Sequence, residues 1–329
     1  MIKSIPPIAI TCLGAYQDSG IGTGGFLLIE SNKKIHVIDK FDSTGLYLCE
    51  NNLYRYVRAL KHLAIYSKKN GFVGTLKLPK SNDIHDIRVI DDQIIAVSTG
   101  NNQIHWYDLK ANCLKIYQER GKGDATHINC IYPVDDSYLV SLFGYFNNHR
   151  EWVGKARGKG IVKDLISKNV IFDGLSGPHN PYADEKYWYV CNSWEQTLIR
   201  KSKRNQQQDK LNLKGFTRGL AMNEKYIFVG VNADRKSETS KNGHLAIINK
   251  NSFKVIDTLD IPFPELYDVV ILEEGWMEHF KKDPDKFELP QKTDNIRSIQ
   301  NQVELGENKI IELNQKIEKL KMRNKIIAK

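Results

Sequence analysis

A short motif centred on a histidine, an arginine or an aspartate recurs along this 329-residue chain. The motif centres are, in chain order, Asp42, His85, His127, His179, Arg218 and Asp268. Successive centres lie 43, 42, 52, 39 and 50 residues apart, and short apolar runs separated by polar turns follow most of them. Because such runs are typical of antiparallel strands, a repeat of ~40–50 residues with about four strands indicates β-propeller blades. The sequence therefore predicts an all-β fold with six blades.

The two ends of this repeat array complete each other. The last motif, at Asp268, has one strand-like run that stops at Leu272, whereas three strand-like runs without a motif lie between residues 8 and 39. One strand plus three strands make a full blade, and ring closure hides the edge strands that an open sheet would expose. We therefore predict a six-bladed β-propeller over residues 1–272, closed by its N-terminal strands.

The C-terminal part has a different pattern. After a charged stretch, 273–293, that is either a linker or a segment lying across the propeller, apolar residues recur from Ile296 at spacings of three and four for nearly five heptads. β-Branched residues at a, leucine at later d positions and Asn324 at an a position favour a parallel dimer. Gly306 leaves a gap in this seam, and the alternatives are a helix folding back on the propeller and an antiparallel or higher-order assembly. We predict a linker over 273–293 and an α-helical coiled coil over 294–329 that makes a homo-oligomer, with a dimer favoured.

The composition constrains the partners and the compartment. The net charge of +9 comes from lysines spread along the chain, without a basic stripe interleaved with aromatic residues, so a nucleic-acid partner is not expected. The five cysteines form no CxxC pair, which is typical of free thiols in a reducing compartment. No signal peptide and no run of ~18 apolar residues is present. We therefore predict a cytoplasmic protein without a membrane span.

The motif residues are the candidate functional residues. The innermost strand of each propeller blade lines a central channel, and loops held on a rigid scaffold carry function, so these residues are expected to meet at one channel mouth. The predicted ring consists of Asp42, His85, Asp86, His127, Asn129, His179, Asn180, Arg218 and Asp268.

One interpretation of the ring is a metal-free binding pocket. Arg218 would hold a carboxylate or phosphate through two parallel hydrogen bonds, since a guanidinium matches the shape of such anions. Asp42, Asn129, Asn180 and Arg218 are then the ligand-binding residues, with the histidines contributing hydrogen bonds to sugar hydroxyls or phosphates. The expected ligand is a small molecule or a glycan.

A second interpretation is a metal site, and a third is purely structural. His85, His127 and His179 would bind one divalent ion, of Zn, Fe or Mn, which polarises a carbonyl or activates water. Asp86 or Asp268 would then act as the acid or base. In the structural interpretation, the aspartates and asparagines cap strand ends by hydrogen bonding to nearby backbone groups.

A polar segment between strands of the third unit, 147–159, is a further candidate for a place near the channel mouth. It contains Arg150 and Trp152 and is predicted to be either a lid over the mouth or a plain exposed insertion, with the insertion favoured.

The motifs resemble those of an uncharacterised family of bacterial six-bladed propellers, over roughly residues 25–272. The matching segments are Asp42 with Gly45-Leu46, His85-Asp86-Ile87, His127-Ile128-Asn129, Pro178-His179-Asn180-Pro181 and Arg218-Gly219-Leu220. Members of that family often occur beside, or fused to, tetratricopeptide-repeat and glycan-assembly modules. The resemblance implies the propeller fold, a surface-polysaccharide context and glycan-assembly enzymes as partners. The family tends to have serine and arginine where this chain has Asn180 and Tyr182.

The leading functional hypothesis is therefore a cytoplasmic ligand-binding or scaffold propeller. Its central pocket would take a sugar- or phosphate-bearing ligand in glycan or cell-envelope assembly. The alternative is a metal-dependent lyase, hydrolase or isomerase that uses the three-histidine site.

Overall fold

The computed structural model describes residues 2–14, 24–233 and 242–289. In this part of the chain, the strands are β1 (Ile8–Leu13), β2 (Gly25–Ile29), β3 (Ile35–Asp39), β4 (Ser43–Cys49), β5 (Asn52–Val57), β6 (His62–Ser67), β7 (Gly71–Leu76), β8 (Ile84–Ile90), β9 (Gln93–Ser98), β10 (Gln103–Asp108), β11 (Cys113–Gln118), β12 (Cys130–Val134), β13 (Ser137–Leu142), β14 (Gly160–Asp164), β15 (Val170–Leu175), β16 (Pro178–Ala183), β17 (Tyr187–Asn192), β18 (Thr197–Ser202), β19 (Gln208–Asn212), β20 (Phe216–Met222), β21 (Tyr226–Asn232), β22 (His244–Asn249), β23 (Lys254–Asp260) and β24 (Glu265–Ile271).

These strands form six four-stranded antiparallel sheets, so the six-bladed propeller is confirmed. Five blades use consecutive strands: β4–β7 form blade 1, β8–β11 blade 2, β12–β15 blade 3, β16–β19 blade 4 and β20–β23 blade 5. Apolar side chains of neighbouring blades form the cores, as where Phe228 of blade 5 packs in one cluster with Ile10 and Leu27 of blade 6.

Blade 6 joins the two ends of the propeller in the order β24-β1-β2-β3, as predicted. In this blade, Asp268 of β24 lies opposite Thr11 of β1. A buried ion pair fastens blade 6 to blade 1, because Arg55 of β5 donates two hydrogen bonds, of 2.5 and 2.6 Å, to the carboxylate of Asp39. Two parallel, charge-assisted hydrogen bonds are among the stronger polar contacts a protein makes.

Most innermost strands carry a β-bulge at the recurring motif. In β8, His85 is the extra residue between Ile84, which pairs with Ser98, and Asp86, which pairs with Val97. The inner strands β4, β16, β20 and β24 have a register shift at the corresponding place. A bulge re-aims the side chain it carries, and here it leaves His85 lining the channel mouth while Asp86 is almost fully buried.

Polar residues of the recurring motifs join neighbouring blades. Each is buried, and each hydrogen-bonds to the backbone of the inner strand of another blade. The bonds link Asp86 Oδ2 to the Ile131 N–H (2.9 Å), Asn129 Nδ2 to the Pro178 carbonyl (3.1 Å), Asn180 Oδ1 to the Gly219 N–H (2.8 Å) and Asp268 Oδ2 to the Leu46 N–H (3.1 Å). The structural interpretation expected backbone contacts for such side chains, and the observed contacts lie on the next blade rather than nearby in the sequence.

The segment after β24 folds onto the propeller. It contains helix α1 (Glu274–Lys282) and a 3₁₀ turn (Pro284–Phe287), with Trp276, Met277 and Phe280 buried. Phe280 contacts the ring of His36 edge-on at 5.0 Å, and the described residues up to Glu288 form one compact unit. No helix in the described ranges is long and apolar enough to cross a membrane. The predicted coiled coil, 294–329, lies outside the described residues and stays a prediction.

Candidate functional site

The starts of the inner strands surround a cavity of about 230 Å³, here called the mouth cavity. Its walls include His85, His127, His179 and Arg218, from blades 2, 3, 4 and 5. Residues that lie up to 133 positions apart in sequence, the separation of His85 and Arg218, therefore line one site.

Arg218 is the most unusual of these residues. Its side chain is only 6% exposed, and its guanidinium carbon lies 3.4 Å from the centre of the Tyr267 ring. One nitrogen, Nη1, lies 3.4 Å from Glu265 Oε1, whereas Nε and Nη2 are buried without a hydrogen-bond partner among the described residues. Buried donors are nearly always paired with protein, water or a ligand, so these two nitrogens are the candidate ligand contacts of the cavity.

His85 contributes an acceptor to the cavity. Its Nε2 lies 3.3 Å from Asp83 Oδ2, and its Nδ1 is buried without a partner in the described part of the chain. Burial, assisted by the nearby charges of His127 and Arg218, lowers the pKa of His85 to about 4. The imidazole is therefore neutral at neutral pH, and with Nε2 donating to Asp83 its Nδ1 can accept a hydrogen bond.

His127 is held tightly by its surroundings. Its Nδ1 lies 2.9 Å from Asp124 Oδ1, and its ring centre lies 4.2 Å from that of Phe143 and 4.4 Å from that of Trp152. The backbone of His127 has a φ of 49°, in the left-handed region that non-glycine residues seldom adopt. Such strain persists only where surrounding contacts fix it, and it is frequent at functional sites.

His179 is 2% exposed and is also neutral. Burial and the charge of Arg218 lower the pKa of its imidazole well below the usual value. Because Ser193 Oγ donates to the Thr217 carbonyl at 2.6 Å, it accepts from His179 Nδ1 at 2.8 Å. This leaves Nε2 as the unprotonated ring nitrogen.

Aromatic side chains complete the walls, and Trp152 and Trp194 are among those that come from loops. Trp152 belongs to the segment 147–159, and its indole N–H donates to the Asp124 carbonyl at 3.1 Å. Trp194 lies in the 3₁₀ turn Ser193–Glu195 and contacts Phe143 at a ring separation of 4.9 Å. The segment 147–159 therefore supplies a wall of the mouth cavity.

The other predicted site residues do not line the mouth cavity. Asn180 and Asp268 border a second cavity, of about 250 Å³, farther along the inner strands. Asp42 accepts a hydrogen bond from the Gly14 N–H at 3.1 Å, and Asn129 is fully buried. The ligand-binding roles predicted for Asp42, Asn129 and Asn180 stay predictions.

Asp86 and Asp268, predicted as acid or base, are fully buried carboxyls. Burial raises the pKa of both, and the charge of Asp268 raises that of Asp86 further. Asp86 Oδ1 accepts from Arg88 Nη1 at 2.6 Å. Their acid or base roles stay predictions.

The described residues contain no group of three or more His, Cys, Asp and Glu side chains placed to hold a metal ion. His85, His127 and His179 each have one ring nitrogen hydrogen-bonded to a protein group. The three-histidine site for Zn, Fe or Mn stays a prediction.

Several cavity residues have no counterpart among the sequence predictions. Asp83 and Asp124 stand two and three residues before His85 and His127, and this recurring upstream acid is a signal from which they could have been found. Glu265 precedes Asp268 by three residues in the same way, whereas Tyr267 and the loop residue Arg58 have no such signal.

Comparison with known proteins places the chain in a family. No curated protein matches the sequence. Similar solved structures include a protein of unknown function from Bacteroides caccae (TM-score 0.56, 13% identity, 80% of this chain and 98% of that one) and a chain of the nidogen/laminin complex (TM-score 0.59, 11% identity, 82% and 99%). A calcium-binding protein, regucalcin, from Agrobacterium tumefaciens is also similar (TM-score 0.50, 10% identity, 68% and 75%). At such identities these likenesses show the propeller fold alone. Residues 61–278, well over half of the chain, match the model of a domain of unknown function (DUF4915), and the chain therefore belongs to that family.

Proposed function

We propose that this protein binds a small anionic sugar, a sugar acid or a sugar phosphate, in the mouth cavity. The observation that carries the proposal is the buried guanidinium of Arg218, with Nε and Nη2 unpaired in the described structure. A buried donor without a partner costs ~1–3 kcal/mol, so a ligand that pairs both donors recovers this cost on binding. Carboxylates and phosphates present two oxygens at the spacing of these two nitrogens.

The size and walls of the cavity favour a single sugar ring. Its volume of about 230 Å³ is below the ~300–1,000 Å³ of pockets for drug-sized ligands, so one ring with one acidic group is the largest unit it takes. The unpaired Nδ1 of His85 is an acceptor for a sugar hydroxyl. Trp152 and Trp194 line the cavity, and the carbon side of a sugar ring packs well against aromatic side chains of this kind.

The test is isothermal titration calorimetry with galacturonate, glucose 1-phosphate and inorganic phosphate as probes and galactose as the neutral comparison. We expect at least one anionic probe to bind with a Kd below about 1 mM, equivalent to about −4 kcal/mol, and galactose to bind far more weakly. Arg218→Lys keeps the charge but cannot make two parallel hydrogen bonds to one anion, and should weaken that binding at least about tenfold. Arg204→Lys, at an exposed arginine, is the matched control and should change nothing.

Two results would overturn the proposal. One is the absence of measurable binding for all three anionic probes. The other is equal affinity in the wild type and Arg218→Lys.

The wider role is also part of the proposal. We place the ligand in glycan or cell-envelope assembly in the cytoplasm, with the tail 294–329 bringing several propellers together as a scaffold. This context rests on the sequence, in particular on the heptad pattern and on the resemblance at the blade motifs. The metal-dependent lyase, hydrolase or isomerase stays the alternative, and elemental analysis of protein purified without chelators tests it.

A further inference from the structure

A depression other than the cavity bordered by Asn180 and Asp268 adjoins the mouth cavity. It has a volume of about 480 Å³, and its walls include Tyr56, Lys61 and Lys77. It shares Arg58 and Asp83 with the mouth cavity, so the two spaces meet at these residues. We call this depression the side groove.

The shared residues form an ion pair at the junction. Arg58 Nη2 lies 3.2 Å from Asp83 Oδ1, and the other oxygen of that carboxylate faces His85 Nε2 at 3.3 Å. The side chains of Arg58 and Asp83 are 44% and 32% exposed, so a bound molecule can reach them. A ligand that extends out of the mouth cavity would pass along this pair into the side groove.

The walls of the side groove carry more positive than negative charge. They contain the cations Arg58, Lys61 and Lys77 and two acids, Asp83, which pairs with Arg58, and Asp42, which accepts a hydrogen bond from the Gly14 N–H at 3.1 Å. Lys61 and Lys77 are exposed, and neither has an ion pair within the described ranges. The backbone of Lys61 is held by a hydrogen bond, because its N–H caps the 3₁₀ turn Arg58–Leu60 by donating to the Arg58 carbonyl.

We infer that the ligand of this protein carries two anionic groups, one held by Arg218 in the mouth cavity and the second held by Lys61 and Lys77 in the side groove. The inference rests on the proposed function and specifies its ligand class. The mouth cavity alone is too small for such a molecule, whereas the two spaces together reach the volume of ordinary ligand pockets. Either a second acid sugar or a diphosphate linked to the first sugar would supply the second group.

The experiment compares probes with one and with more anionic groups by calorimetry on the full chain. Galacturonate has one carboxylate, digalacturonate has two, and UDP-glucuronate has a carboxylate and a diphosphate. We expect digalacturonate or UDP-glucuronate to bind at least about tenfold more tightly than galacturonate, a gain of about 1.4 kcal/mol. The probe that shows this gain identifies the source of the second anion.

The variant Lys61→Gln/Lys77→Gln should abolish the gain and leave galacturonate binding unchanged. The matched control is Lys69→Gln/Lys110→Gln, which removes two exposed lysines from the turns between β6 and β7 and between β10 and β11. Because all four lysines are exposed, both variants should fold as the wild type does.

The outcomes separate this inference from the proposed function. If galacturonate binds in an Arg218-dependent way but neither larger probe gains affinity, the second anion site is wrong and the mouth cavity stands. The same holds if the gain survives in Lys61→Gln/Lys77→Gln. If galacturonate, digalacturonate and UDP-glucuronate all fail to bind, the second anion site is wrong, and if glucose 1-phosphate and inorganic phosphate fail as well, both proposals are overturned.

Discussion

Replacement of Asp86 tests whether this residue holds blades together. The carboxylate accepts hydrogen bonds from the backbone N–H of Ile87 (2.8 Å) and from Arg88 Nη1 (2.6 Å), both in its own strand, β8. It also accepts from the N–H of Ile131 (2.9 Å), which lies in β12 of the next blade. Asp86→Ala therefore removes a contact between blades 2 and 3 and leaves three donors without this partner.

The size of the effect follows from the burial of the partners. Asp86 is 1% exposed and Arg88 is 7% exposed, so water cannot replace the lost contacts. Removal of one member of a buried ion pair costs ~3–5 kcal/mol, because the other charge stays buried. Arg88 keeps the Ile87 carbonyl at 2.6 Å, which favours the lower half of that range. We expect Asp86→Ala to lower the free energy of unfolding by about 3–4 kcal/mol, a large share of the ~5–15 kcal/mol typical of native proteins.

Urea unfolding followed by circular dichroism measures this effect. Asp86→Asn keeps one carbonyl oxygen and should cost less, about 1–3 kcal/mol. The addition of Arg88→Met to Asp86→Ala should restore part of the loss, because it removes the unpaired charge. Asp136→Ala, at an exposed acid in the turn between β12 and β13, is the control and should stay within about 0.5 kcal/mol of the wild type. A loss below about 0.5 kcal/mol for Asp86→Ala would refute the fastening role.

Four further predictions follow from the same contacts. Arg55→Met should lower the free energy of unfolding by about 3–5 kcal/mol in urea, because it leaves Asp39 without its buried partner, and Arg55→Met/Asp39→Asn should recover part of this loss. Folding lowers the pKa of His85 from 6.5 to about 4, so between these pH values the folded protein binds fewer protons than the unfolded chain. The free energy of unfolding should therefore fall as the pH falls from about 6.5 to about 4. His85→Gln should flatten this part of the profile in melting curves recorded at different pH. Gly219 has a φ of 71° and lies close to β24, so Gly219→Ala should cost at least about 1–2 kcal/mol, and an unchanged midpoint in urea would contradict this. Deletion of 294–329 should convert the predicted dimer into a monomer in light scattering, and an unchanged mass would show that the tail does not drive assembly.

The architecture was predictable because it depends on spacing. A motif that begins at Asp42 and returns at intervals of 39 to 52 residues identifies the inner strand of each blade, since the blades are the same unit repeated around one axis. The closing blade was predictable from the number of strands, because one strand lies at Asp268 and three strands lie before Asp42. The helix at Glu274–Lys282 was not foreseen, because its apolar residues, Trp276, Met277 and Phe280, stand within a stretch dominated by charge.

The site was harder to predict, because adjacent motif residues have different surroundings. His85 lines the mouth cavity whereas its neighbour Asp86 is bound to Ile131, and the β-bulge that separates the two is not visible in the sequence. Trp152 and Arg58 come from loops, and the spacing of the motifs does not predict where a loop lies. The unpaired donors of Arg218 are a property of the packed structure alone.

A crystal structure of the protein soaked with galacturonate would test the assignment of the mouth cavity most directly. We predict the sugar carboxylate to lie about 2.7–2.9 Å from Nε and Nη2 of Arg218, the range of charge-assisted hydrogen bonds, with the sugar ring against Trp152. Galacturonate bound away from the mouth cavity, or a mouth cavity in which Arg218 Nε and Nη2 stay without a ligand contact at saturation, would contradict this assignment.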